Sequence, residues 1–119
     1  MSFIYHIATA SDWAQAQAAG QYTTSTRGRT LAEQGFIHSS TADQVAPVAN
    51  MIYQGLPDLL VLVIDTDRVR PEIRFEMVPG SDEPFPHIYG ALNADAVVGT
   101  QRLEPDSDGR FFFTDQQRD

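Results

Sequence analysis

The chain has 119 residues, among them eight arginines, no lysine, sixteen acids and three histidines, and its formal charge is −8 at neutral pH. One domain with a real core fits that length, and the absence of cysteine excludes disulfides, thiolate zinc sites, iron–sulfur clusters and a cysteine nucleophile. The acid excess excludes a broad RNA or DNA platform, because basic residues that neutralise phosphate supply most nucleic-acid affinity.

Residues 3–8 (FIYHIA) are rich in aromatic and β-branched side chains and predict a first strand. Ser11 stands in an N-cap position before the Ala- and Gln-rich residues 12–19, and Gly20 closes that helix. Residues 21–29 (QYTTSTRGR) are polar without a helical period and predict a loop. Thr30 and Glu33 have capping-box spacing with Gly35 behind them, which predicts a single helical turn. Residues 36–39 (FIHS) read as a short strand. Ser40 or Thr41 opens a second helix that runs to about Tyr53 and is ended by Gly55. Pro47 suits only a first turn, so that helix starts near Ala46 or follows a turn at 41–45.

Residues 59–64 form the longest apolar run, short and apolar on both faces, which predicts a central strand. Six residues fall far short of a membrane span, so no membrane partner is expected. Residues 72–78 (EIRFEMV) alternate, with Ile73, Phe75 and Met77 on one face and Glu72, Arg74, Glu76 and Val78 on the other. A loop rich in Pro, Gly and acids follows at 79–84. Residues 85–89 (FPHIY) are extended around Pro86. Residues 96–103 predict the last strand, and the acidic tail around Phe111 and Phe113 pairs as an edge or frays. Two helices among five or six short strands, without regular βαβ alternation, predict an α+β fold. The expected organisation is one domain over 1–104 and an acidic C-terminal extension over 105–119. Residues 1–20 lack a basic start and a long apolar stretch, so a cytoplasmic location is the default expectation. Edge strands at 96–104 and in the tail leave a dimer open without specifying one.

All three histidines sit in apolar, strand-like surroundings. Alternation places His6 with Ile4 and Ala8, His38 with Phe36 and Ser40, and His87 with Phe85 and Tyr89. Histidine exchanges a proton near neutral pH and can hold a ribose hydroxyl through either nitrogen. Taken singly, each reads first as a half-buried ring bonded to backbone. No HxH, HxxxH or HExxH spacing points to a metal, and no metal site is expected. Ser39, Ser40 and Thr41 follow His38 without a GxSxG elbow, so capping competes with a pocket role for their hydroxyls. Glu76 reads either as one member of a surface ion pair with Arg74 or as a carboxylate that stabilises a cationic centre or takes a proton. The hydroxyls of residues 22–26 beside Arg27 and Arg29 suit a phosphate or pyrophosphate as well as an ordinary polar loop.

Tyr5-His6-Ile7, then Gly35-Phe36-Ile37-His38-Ser39-Ser40-Thr41 with Gln44, then Phe85-Pro86-His87-Ile88-Tyr89-Gly90 resemble the bacterial domain-of-unknown-function 952 family. The match covers about residues 3–104, and GFIHSS and FPHIYG are specific as a pair. That family in turn resembles the ADP-ribosyltransferase fold, a split, mostly antiparallel sheet that binds NAD in a cleft, and most closely its RNA 2′-phosphotransferase branch. Tyr5-His6-Ile7-Ala8 stands where that branch has Tyr-His-Gly-Thr, and Ile37-His38-Ser39-Ser40 where it has Val-His-Leu-Ser. The resemblance implies that His6 holds a ribose hydroxyl and that backbone near Ile7 faces the nicotinamide amide. It places Ser40, with Ser39 beside it, near the nicotinamide end, and makes Arg27 a stand-in for the phosphate-binding arginine. No third-motif glutamate is placed; His87 and Tyr89 are the candidates to substitute for it.

The expected catalytic set is therefore His6, His38, Ser40, His87 and Glu76, and the expected cofactor contacts are His6, Ile7, Arg27, Ser39, Ser40 and Tyr89. Three functions stay open. The first is a transferase or phosphotransferase that binds NAD or ADP-ribose. The second is a non-catalytic module that keeps the cleft. The third is a small His-dependent hydrolase or isomerase. A compact nucleotide is the expected partner of the first, and a long nucleic acid is not.

Overall fold

A computed structural model describes residues 2–115. Strand β1 (Phe3–Thr9) leads into helix α1 (Ala10–Ala19), and three short strands follow, β2 (Gln21–Tyr22), β3 (Thr24–Thr26) and β4 (Arg29–Thr30). A one-turn helix α2 (Leu31–Gln34), strand β5 (Ile37–His38) and helix α3 (Ala42–Ile52) come next. The second half is strand, with β6 (Leu59–Asp65), β7 (Glu72–Glu76), β8 (Phe85–Tyr89), β9 (Leu92–Asn93) and β10 (Val97–Leu103). The fold is α+β, and every strand pairing described is antiparallel.

Two three-stranded sheets organise the chain, in the orders β1-β6-β10 and β5-β8-β7. As the apolar run predicts, β6 is central, and its side chains feed two cores. Leu62 and Ile64 join Ile4, Ala8 and the Trp13/Ala16 stripe of α1 on one face. Val61 and Val63 join Tyr5, Ile7 and the Val45/Val48/Ala49 face of α3 on the other. The sheets meet where Tyr5 and Ser40 exchange backbone bonds, Tyr5 N–H to Ser40 O at 2.8 Å and Ser40 N–H to Tyr5 O at 2.7 Å. That single bridge leaves a split beside β1, and the split is where His6 lies.

Several local expectations are corrected. Thr9, not Ser11, caps α1: its Oγ1 accepts from Asp12 N at 3.1 Å, so the last strand residue also starts the helix. Gly20 ends α1 at φ +83, in the left-handed region that glycine enters without a Cβ penalty. The capping box at Thr30 and Glu33 forms as predicted. Helix α3 starts at Ala42 and runs through Pro47, instead of starting near Ala46. Proline removes the bond to the carbonyl of Asp43, but both residues are exposed, so solvent reaches that turn. The predicted loop at 21–29 contains β2, β3 and β4, with β2 pairing with the distant β9.

Strand β7 ends at Glu76, and on its apolar face Ile73 is partly buried against the first core, whereas Phe75 and Met77 are 57% and 59% exposed at this sheet edge. The segment after β10 forms no strand within the described residues, but it does not fray there. Phe111 is 1% exposed in the second core, and its backbone exchanges bonds of 2.8 and 3.0 Å with the Asn50 amide. The remainder of the predicted tail, residues 116–119, lies outside the described residues. No helix among the described residues is long and apolar enough to cross a membrane.

Candidate functional site

The site is built on the sheet β5-β8-β7. Its register sets His38 opposite His87 and Arg74 opposite His87, with Glu72 opposite Tyr89 and Glu76 opposite Phe85. Cross-strand partners share a face, so the pairing gathers His38, His87, Tyr89, Arg74 and Glu76 on one side. Phe36 joins them. Its ring stacks on His87 with centroids 4.0 Å apart and an interplanar angle of 16°. The His38 and His87 rings lie 5.4 Å apart. Ile37, Ile73 and Ile88 fill the opposite face and belong to the first core.

Within the group, the Glu76 carboxylate accepts from His87 Nδ1 at 2.8 Å and from the Tyr89 hydroxyl at 2.5 Å. Those two bonds, Tyr89 first, hold the Glu76 carboxyl below its ordinary range, and the same bond raises the Tyr89 hydroxyl. Arg74 lies over the Tyr89 ring at 4.6 Å and pairs with Glu72 at 3.1 Å. A carboxylate can only accept, so Nδ1 of His87 carries the proton, and Nε2 of the neutral ring keeps its lone pair. Nε2 is buried and has no hydrogen-bond partner among the described residues, and His87 is 2% exposed.

His87 and His38 border a depression of about 470 Å³ whose wall also includes Ser25, Thr26, Arg29, Gln34 and Phe36. The His38 side chain is held at about 4, by burial first and by the neighbouring His87 second, so it enters the site as a neutral imidazole. Among the described residues no group of three or more His, Asp or Glu side chains is arranged to hold a metal ion.

His6 is 2% exposed and occupies the split between the sheets. Its Nδ1 lies 2.6 Å from the His38 carbonyl and its Nε2 2.9 Å from the Tyr22 hydroxyl. The carbonyl requires Nδ1 to donate, so Nε2 accepts from Tyr22 in the neutral ring. Burial brings His6 down to about 4, outweighing the upward pull of the carbonyl bond.

A family model described as "Protein of unknown function (DUF952)" matches residues 7–100. The chain belongs to the DUF952 family. Two crystal structures of the protein CC0527 from Caulobacter crescentus, one of them a double mutant, match this DUF952 chain at 27% identity with a TM-score of 0.81. Each covers 93% of this chain and 94% of CC0527. A solution NMR structure of CC0527 matches at 28% identity and a TM-score of 0.76, covering 92% of this chain and 91% of that one. No curated protein matches the chain.

Of the expected site residues, this DUF952 fold brings together His38, His87, Glu76 and Tyr89. His6 is tied to that group through the His38 carbonyl. Ser40 is 3% exposed and engaged through its backbone in the bridge to Tyr5. Ser39 is buried, with its hydroxyl unpartnered. Ile7 and Arg27 line a separate depression of about 80 Å³, and the Arg27 guanidinium donates to the Ile52 carbonyl at 2.7 Å. Three further wall residues, Ser25, Arg29 and Phe36, were visible in the sequence only as a hydroxyl-rich loop with two arginines and as the strand neighbour two before His38. Gln44 is accounted for structurally: it accepts from Thr41 N at 3.0 Å and donates to Pro84 O at 2.9 Å, tying α3 to the start of β8.

Proposed function

We propose that the depression is a small-molecule acid–base site in which His87 accepts a proton from the ligand and Glu76 orients the ring. The observation that carries this reading is the buried, unpartnered Nε2 of His87 opposite an Nδ1 that donates to a carboxylate. An unsatisfied buried acceptor costs about 1–3 kcal/mol, which a ligand donor would recover. Nε2 takes a proton from a ligand O–H, N–H or acidic C–H, and the electron pair stays on the ligand. The ring becomes an imidazolium that the Glu76 carboxylate stabilises. The proton then returns to a different ligand atom, which is an isomerisation; in a hydrolysis Nε2 instead takes the proton from a water that attacks the ligand, and hands it to the leaving group as the ligand's bond to that group breaks. His38 supplies a second neutral imidazole on the same wall.

The transferase reading, with NAD or ADP-ribose in a cleft, assigns His6 to a ribose hydroxyl. It draws on the likeness of the Tyr5-His6 and His38-Ser39-Ser40 segments alone, and both His6 ring nitrogens already have partners inside the protein. The His-dependent acid–base reading has the stronger geometric support.

The test is a panel of small hydroxy ketones, esters and carboxylic acids in D2O, with deuterium uptake and hydrolysis followed by proton NMR. Turnover by the native chain should fall about 100-fold or more in His87→Gln, with the fold of the variant checked by its amide spectrum. Binding without turnover in the native chain makes the site a binding module instead. Undiminished turnover in His87→Gln contradicts the assignment.

A further inference from the structure

Arg29 and Arg110 are the described arginines whose guanidinium has no hydrogen bond or ion pair among the described residues, and of the two only Arg29 lines the depression bordered by His87. Arg68, Arg70, Arg74 and Arg102 each face a carboxylate at 3.0–3.6 Å, and Arg27 donates to a carbonyl. The guanidinium of Arg29 makes no hydrogen bond or ion pair among the described residues, and Glu33 feels its charge without contacting it. Arg29 lines the same depression as His87.

The lining carries a second signal. In a chain with sixteen acids, no acidic side chain borders this depression. Three other depressions among the described residues each have at least one: Asp58 and Glu104, then Asp43, Asp82 and Glu83, then Asp12. The Ser25 hydroxyl, fully buried and unpartnered, borders it as a further polar group awaiting a partner. Phe36, Ile52, Val78 and Pro79 supply apolar wall.

We infer that this depression takes a small organic oxyanion, a carboxylate or phosphate monoester with a compact apolar body, held through its charge by Arg29. A guanidinium grips such a group with a planar pair of donors. With no acid in the wall itself and Glu76 engaged by His87 and Tyr89, the repulsion that a chain of charge −8 imposes on an anion is reduced at this site. The inference rests on the acid–base reading only for the end of the ligand that meets His87.

Benzoate, phenyl phosphate and neutral benzyl alcohol, titrated at low ionic strength, test it, with the amides of residues 25–29 and the His87 ring followed by NMR. Saturable binding of at least one oxyanion, weakened about tenfold or more in the exposed-site variant Arg29→Gln, and no binding of benzyl alcohol over the same range, support the inference. The tighter of the two oxyanions identifies the source. Equal binding of benzyl alcohol with no effect of Arg29→Gln overturns the anion inference, and movement of the His87 ring in that case leaves the acid–base site standing. Arg29-dependent binding with an unmoved His87 ring supports the anion inference and removes the acid–base reading. No binding of any probe at millimolar concentration overturns the inference.

Discussion

Glu76 Oε1 lies 2.8 Å from His87 Nδ1, although the two residues are not cross-strand partners. Register sets His87 opposite Arg74 and Glu76 opposite Phe85, so the contact runs diagonally between β7 and β8. Diagonal neighbours are within reach of long side chains. The Tyr89 hydroxyl donates to the same carboxylate oxygen at 2.5 Å, so that oxygen accepts from two donors.

Because the Tyr89 bond is the largest influence holding the Glu76 carboxyl low, Tyr89→Phe should let it rise toward the ordinary carboxylate range. Carbon-detected NMR titration of the Glu76 carboxyl measures that shift. An unchanged midpoint would mean that the hydroxyl does not bond the carboxylate in solution.

His6 is expected to be a keystone of stability. His6→Phe keeps a ring but takes the buried His38 carbonyl's side-chain partner away and leaves the Tyr22 hydroxyl only its bond with Thr24. Urea unfolding should show a loss of about 2–5 kcal/mol. A loss below about 1 kcal/mol would show that neither bond matters to the fold.

Acid should weaken the protein in a defined window. His6 and His38 titrate near 4 in the folded chain and near 6.5 when unfolded. The unfolded state therefore binds protons first. The stabilisation is complete above about pH 6.5 and is lost as the pH falls toward 4, by on the order of 3 kcal/mol for His6. The depressed Glu76 contributes stability that is present above its unfolded value and lost as the pH falls through its folded one. Urea midpoints at pH 7, 5.5 and 4.5 should decline in the native chain and decline less in His6→Phe. A flat profile would contradict the buried neutral rings.

The sequence made faces legible and left pairing obscure. Two-residue alternation puts Phe36 with His38 and His87 with Tyr89, because a strand's side chains alternate whatever it pairs with. That Glu76 joins them depends on the β7–β8 register, a non-local choice with no short-range signature. The same gap explains His6. Its strand was readable, but its partners are Tyr22, sixteen residues on, and the His38 carbonyl at the junction of two sheets. Pro47 is tolerated inside α3 because its penalty falls on an exposed carbonyl, and Thr9 carries no cap signature in the sequence because it also ends a strand.

Phe111 should behave as a core residue despite its acidic neighbours in the sequence. Phe111→Ala is expected to cost about 3–5 kcal/mol in urea unfolding, as for other buried aromatic truncations. A cost below about 1 kcal/mol would show that the segment does not hold to Asn50 and the second core.

Glu76 fixes His87 with a proton on Nδ1 and a free acceptor at Nε2. Long-range proton–nitrogen NMR of the histidine rings at pH 8 reads it directly. The account predicts the Nδ1–H tautomer for His87 in the native chain and loss of that preference in Glu76→Ala. A native His87 with its proton on Nε2 would contradict it.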